Sequence, residues 1–160
     1  KRLDFVNVFT AMRPMRKIAV ALLFFTSFLN AKNITDYHKK QFDKVTFNRY
    51  GIAHIVTPQG WVAINKKNKV LYHPYIYDNG PDYVKEGLLR FVENGKMGFV
   101  DERGKKIIHA QFDFVAPFES GKAKYCIGCQ KIQDGEHSRI DEKTGTWGYI
   151  DKKGKRISIN

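Results

Sequence analysis

The chain has 160 residues, of which 42% are hydrophobic and 28% charged, a composition that suits one modest globular domain. Its 12 Phe, 8 Tyr and 2 Trp fit pleated, half-buried strands better than helices. The formal charge is +12, and residues 32–160 hold 23 Lys/Arg against 15 Asp/Glu, a net of +8. That balance favours anionic partners such as phospholipid head groups, lipopolysaccharide or acidic glycans, although lysines in hairpin turns also serve plain solubility. No DNA- or RNA-binding motif occurs, so nucleic acid is set aside as a partner.

In chain order, residues 1–14 precede a basic stretch, Met15-Arg16-Lys17, and an apolar run from Ile18 to Leu29 broken only by Thr26 and Ser27. Ala31 follows as a small residue suited to signal-peptidase cleavage. Basic, apolar and small, in that order, read as a secretory signal peptide over residues 15–31. The run is too short for a spanning helix, which needs about 20 apolar residues, so no transmembrane anchor is expected in the mature chain. Translation is expected to begin at Met12 or Met15, which makes residues 1–14 an upstream leader. Residues 32–40 read as a polar linker with at most one helical turn.

From residue 41 onward the chain repeats itself. Gly60-Trp61-Val62-Ala63-Ile64-Asn65, Lys96-Met97-Gly98-Phe99-Val100-Asp101 and Thr146-Trp147-Gly148-Tyr149-Ile150-Asp151 are three copies of one phrase. Each copy runs into a turn that ends in Asn68, Gly104 or Gly154. Asp or Asn at the first place and Gly or Asn at the last suit a type I turn closed by a left-handed residue. A glycine (Gly51, Gly87, Gly121) precedes an alternating strand ahead of each phrase, and a short return strand follows it. Aromatic-Asp pairs at Phe42-Asp43, Tyr77-Asp78 and Phe112-Asp113 keep a spacing of 35 residues. Each unit therefore reads as a meander of about three antiparallel strands. Glycine inside a strand weakens it unless something needs the space, so an aromatic ring is expected over Gly98 and Gly148.

These phrases resemble the bacterial WG-repeat family, also called KWG repeats, over residues 41–160 as three units (41–75, 76–110 and 111–160). The resemblance implies an all-β repeat array and an interaction role, with no general catalytic activity. Met97 stands where the Trp would be, and Val62 stands where the Gly would be, so only Trp147-Gly148 keeps the full pair. Three units are too few to close a propeller, and an open solenoid-like or partial propeller-like array is expected.

The period fails once. Trp61 to Met97 is 36 residues and Met97 to Trp147 is 50, which places an insert at residues 126–145. An insertion on one face of a repeat array is a natural binding loop, and Glu136, His137 and Arg139 are its candidate binding residues. Both cysteines lie in it. Cys126 and Cys129 read as a small disulfide in an exported protein, as two of three zinc ligands with His137, or as a thiol-redox pair. No cofactor is otherwise implied. No phosphate loop or nucleophile elbow occurs, and His54 is expected to face solvent. The sequence thus reads as an exported, non-enzymatic binding module of the periplasm or cell exterior. Its partner would be a protein or an envelope glycan, met by the insert and by Tyr72, Tyr75, Tyr77 and Tyr83. The alternative is a metal or thiol-redox protein.

Overall fold

A four-residue turn, used again and again, sets the architecture. The computed structural model describes residues 33–134 and 137–158, all within the unit Ala31–Asn160. The leader and the signal peptide lie outside these residues. The elements are α1 (Asp36–Phe42), β1 (Ile52–Thr57), β2 (Gly60–Asn65), β3 (Val70–Pro74), β4 (Ile76–Tyr77), β5 (Gly80–Pro81), β6 (Leu88–Glu93) and β7 (Lys96–Asp101). There follow β8 (Lys106–Phe112), β9 (Phe114–Val115), β10 (Lys122–Ile127), β11 (Lys131–Asp134), β12 (His137–Ile140), β13 (Thr146–Asp151) and β14 (Arg156–Ile157). The class is all-β, as expected. A six-stranded antiparallel sheet runs β1-β2-β3-β6-β7-β8 and a four-stranded sheet runs β14-β13-β10-β9; β4-β5 and β11-β12 are separate ribbons. The repeating units are β1-β2-β3, β6-β7-β8 and β10-β13-β14.

In all three units, residues 65, 101 and 151 hold the turn by one mechanism. The side-chain Oδ1 accepts the backbone N–H groups two and four residues on: Lys67 and Lys69 for Asn65, Arg103 and Lys105 for Asp101, Lys153 and Lys155 for Asp151, all at 2.8–3.1 Å. A short side chain with a free oxygen is what such a turn requires. The last turn residue takes the left-handed region, with φ of 59° at Asn68, 77° at Gly104 and 81° at Gly154.

The register of the leading strand against the phrase strand is also the same. Ile55 faces Val62, Phe91 faces Gly98 and Tyr125 faces Gly148. An aromatic stands opposite each glycine, and an aliphatic residue stands where the glycine is absent. A Cβ on Gly148 would lie 2.8–2.9 Å from the Tyr125 ring, which occupies the bare backbone as expected. Gly98 differs: a Cβ there would lie 2.5 Å from the backbone oxygen of Ile108. The close neighbour is β8 itself, which shifts register beside Met97 and Phe99. Phe91, Phe99 and Phe112 are fully buried in the middle unit, each contributing about 2–3 kcal/mol of burial.

Neighbouring units lock through their turns. Glu102, just after Asp101, pairs with Arg49 at 3.0 Å, and its carbonyl accepts from Asn48 at 2.9 Å. Lys152, just after Asp151, pairs with Glu86 at 2.9 Å. Lys152 and the Gly121 N–H together hold the Glu86 carboxyl below the usual carboxylate range. The two contacts are equivalent and opposite in sign, so they favour one order of units. Exposed pairs of this kind are screened by solvent and add little stability. A buried pair supports the middle unit more deeply: Arg90 Nε and Nη2 bond both oxygens of Asp82 at 2.6 and 2.9 Å, and its Nη1 reaches the Val115 carbonyl at 3.2 Å. The guanidinium also lies 4.4 Å from the Tyr75 ring centre. This fork ties the β4-β5 ribbon to β6 and to β9.

Several expectations need correction. Residues 36–42 form a seven-residue helix of about two turns rather than one turn at most. So short a helix does not stand alone; it is held on the edge strand β1 by His38, which is buried beneath it. His38 Nδ1 accepts the Val56 N–H at 3.1 Å, and the ring stacks on Phe42 at 4.9 Å. The aromatic-Asp pairs are not equivalent in space. Asp43 caps this helix, Asp78 sits in the β4-β5 turn and Asp113 joins β8 to β9. His54 is half-buried, its Nε2 3.0 Å from the Tyr72 hydroxyl, and desolvation lowers its pKa.

The two glycines predict different costs. Gly98→Ala should lose about 3 kcal/mol in urea unfolding, because backbone cannot yield. Gly148→Ala should lose roughly half as much, because the Tyr125 ring can turn. Equal losses would contradict the distinction.

Candidate functional site

The insert begins later than its spacing suggests. Cys126 pairs with Trp147 and Ile127 with Thr146, so both belong to β10. The other two units close the same strand pair with two residues, Pro58-Gln59 and Asn94-Gly95. Here residues 128–145 take their place. The insert is not an irregular loop: β11 and β12 pair in register from Lys131↔Ile140 to Asp134↔His137. Its return uses the repeat's own device, with Asp141 Oδ1 accepting the Lys143 N–H at 3.0 Å.

The base is anchored by residues the sequence analysis had not assigned to the site. Asp113 accepts the Gly128 N–H at 2.6 Å and Lys96 Nζ at 2.5 Å. Lys96 and the Gly128 N–H together depress its pKa. Thr144 receives the Gln130 N–H on its hydroxyl at 2.9 Å, and its carbonyl takes the Trp147 indole N–H at 2.9 Å. Gly145 has φ +75°, and a Cβ there would lie 2.5 Å from Cys129 N and 2.7 Å from Cys126 Sγ. No larger residue closes the loop this tightly.

Between the insert ribbon and the middle unit lies a cleft of about 330 Å³. Tyr75 lines it from the end of the first unit, Val92, Gly95 and Met97 from the middle unit, Asp113 and Phe114 from the junction, and Lys131, Arg139, Ile140 and Glu142 from the insert. Trp147 completes the lining. Its ring carries the Lys124 ammonium 4.4 Å from its centre and has Phe114 at 6.1 Å. Apolar rings with a few converging charges are the usual makeup of a ligand site. A second groove, of about 520 Å³, lies under α1 between Tyr37, Val62 and Val70. Its exposed surface is mostly apolar, with Asp36, Lys40, Gln59 and His73 also in its lining.

The expected site residues are dispersed. Arg139 lines the cleft. Glu136 and the side chain of His137 lie outside the described residues. Cys126 is fully buried and Cys129 half-buried. The two are free thiols in the structure. Desolvation raises the Cys129 pKa well above an ordinary thiol, and its hydrogen bond to Cys126 adds to the rise. Among the described residues no three His, Cys, Asp or Glu side chains converge as metal ligands. Trp61 is half-buried against Phe42 (5.7 Å) under α1, and Met97 is core. Gly98 and Gly148 serve packing, and Gly104 and Gly154 serve turns. Of the four tyrosines, Tyr72 is buried and Tyr75 half-buried, whereas Tyr77 and Tyr83 are 56% and 63% exposed. Asp113 had a signal in its aromatic-Asp pair, Lys96 in the repeated phrase and Thr144 in the insert itself; Phe114 had none, since only folding brings it to the insert.

Comparison with known proteins agrees with the repeat. The family described as WG containing repeat matches residues 61–96 and 97–128. No match was found among curated proteins, and none among solved structures. The matched units start at Trp61 and Met97, the second residues of the phrase strands. The Asp151 turn and the Tyr125–Gly148 pairing carry the same geometry past the matched residues, beyond the insert. Residues 61–128 are thus similar to two WG repeats, and they lie within an all-β fold of three repeated units.

Proposed function

We propose that this chain is an exported, non-enzymatic binding module of the bacterial envelope or exterior, with WG repeats as scaffold and the insert cleft as the binding site. The observation that carries the proposal is structural economy at one position. Eighteen residues replace a two-residue turn, leave the β10-β13 register intact and wall a cleft at the one Trp that keeps its Gly partner. Export is supported by the residue pattern at 15–31, and no described helix is long and apolar enough to cross a membrane. The partner is a protein or an envelope glycan able to use both the aromatic floor and the charged rim.

Replacing residues 128–145 with Asn-Gly, the turn of the middle unit, tests this. The variant should fold with the same circular dichroism spectrum and lose about 1–2 kcal/mol, the worth of the anchoring bonds at Asp113 and Thr144. It should also recover none of the partners that the parent captures from envelope extracts. Equal recovery by both forms would remove the insert from the role.

A second reading, metal or thiol chemistry at Cys126, Cys129 and His137, draws on the apposition of the two sulfurs. Burial and the hydrogen bond to Cys126 raise the Cys129 pKa and slow attack by the resting thiol, and two adjacent cysteines in an exported protein suit a disulfide. Protein isolated from the exported fraction without reductant should take up no iodoacetamide until reduced; immediate labelling of both thiols would count against the disulfide. In the reduced protein, Cys129 should label at pH 8 at least about tenfold more slowly than free cysteine. Its rate should climb only as pH rises above the ordinary thiol value, since the folded pKa is shifted upward. Zinc retained at one equivalent through gel filtration would favour the metal reading instead.

A further inference from the structure

Because the units repeat, one junction can be compared with the next. Ahead of β6 and β10 the chain makes the same isolated bridge, Lys85 with Leu88 and Glu119 with Lys122, so Val84 and Phe118 hold equivalent positions. Their surroundings differ. Phe118 is 2% exposed, and its ring lies 4.7 Å from that of Phe99. Val84 is 46% exposed. Phe99 also has a smaller counterpart. The registers put Ala63 at the same point of the phrase strand, opposite His54 and Tyr72. Ala63 is fully buried, and the His54 Nε2 and the Tyr72 hydroxyl meet at 3.0 Å from its two neighbouring strands. That polar pair closes over the place of one missing ring. The Val84 side chain is too small to close the place of the other.

A groove of about 440 Å³ is left there, lined by Phe47, His54, Tyr72, Tyr83 and Val84 among others. Where one junction seats a phenyl ring and the next leaves a groove, a ring from solution matches the groove in size, and apolar cavities take up such rings. One part of the lining is charged. Asp82, Asp101 and Glu102 belong to it, and among the described residues no Lys or Arg does. Asp82 is committed to Arg90 and Glu102 to Arg49. Asp101 has no such cation: its Oδ1 serves two backbone N–H groups of its turn, and its Oδ2 has no partner among the described residues. Its charge is felt in the groove, where burial and then Asp101 raise the pKa of the Tyr72 hydroxyl.

We infer that this groove between the first and middle units binds a small aromatic amine, its ring in the place that Phe118 fills at the next junction and its ammonium on Asp101. The site is separate from the insert cleft. A ligand carrying a carboxylate would meet Asp101 and Glu102 as like charges. An aliphatic amine would leave the aromatic lining without a partner. Tyr83 and Val84 directly follow Asp82, whose two oxygens are fixed by Arg90, so the exposed side of the groove stands on a buried anchor and is formed before the ligand arrives.

The test titrates the full chain with phenethylamine, followed by NMR, with phenylacetate and butylamine as controls. Phenethylamine should bind saturably and at least about tenfold more tightly than either control, since each lacks one half of the match. Val84→Phe supplies the ring of the next junction and should weaken phenethylamine binding at least about tenfold by filling its place. Asp101→Asn keeps the turn, as Asn65 does in the first unit, and should erase the preference for phenethylamine over uncharged phenylethanol. The Asn-Gly replacement of the insert should bind phenethylamine as the parent does, which separates this site from the cleft. Should Val84→Phe melt early, Tyr83→Ala should weaken binding in the same direction. Phenylacetate bound as tightly as the amine, no saturable binding of phenethylamine, or unchanged binding by both Val84→Phe and Tyr83→Ala would overturn the inference. Tighter binding of a peptide with Phe beside Lys than of phenethylamine would give the groove to a protein partner and overturn it as well.

Discussion

One side-chain oxygen at residue 65, 101 or 151, shared between two backbone N–H groups, is the interaction on which the array depends. It closes the phrase strand onto its return strand and fixes where the next residue points. In the second and third units that next residue, Glu102 or Lys152, is the one that reaches the preceding unit. Local turn chemistry thus doubles as inter-unit adhesive. Individually these bonds are modest, about 1 kcal/mol each, but the geometry they impose recurs at each joint and is therefore cumulative. Repeat proteins owe their cooperativity to such nearest-neighbour terms.

The middle unit bears the heaviest packing. Strands β6 and β7 are buried over most of their length, whereas β13 is mostly half-exposed. Gly98 admits the backbone of β8, and Gly148 admits a ring, so the same letter in the phrase answers two spatial needs. The Asp82–Arg90 fork adds a polar tie where apolar packing alone would leave the β4-β5 ribbon loosely attached. Burying both charges is tolerable because both carboxylate oxygens and all three guanidinium nitrogens are bonded. At the amino-terminal edge, α1 and His38 cover β1, a common way for a sheet to avoid pairing with another.

The proposed binding cleft arises where the repeat is interrupted. The insert occupies the end of the array where the other units have two-residue turns. The four-residue turns line up at the opposite ends of the phrase strands. The insert leaves the β10-β13 register beneath it intact, so scaffold and elaboration are structurally separate.

Much was legible before folding, because it follows from short-range chemistry. The three phrases, the Asp/Asn turns, the left-handed residues at 68, 104 and 154 and the ring over Gly148 all depend on residues near in sequence or on the period-two geometry of a strand. Even the presence of an insert is a matter of counting. What the sequence left open depends on contacts between distant residues. Phe42-Asp43 looks like its two counterparts but caps a helix, because His38 and Trp61 offer it an apolar seat. Cys126 looks like part of a loop but is a strand residue, because Trp147 lies opposite it. Asp113, Lys96, Phe114 and Thr144 are far apart or unmarked as a set in the sequence, and only tertiary packing makes them the floor and anchors of one cleft. Sequence alone determined the repeat and its turns, since a turn is closed by its own residues. The tertiary structure decided the site, since a cleft is made by residues that become neighbours only when the units stack.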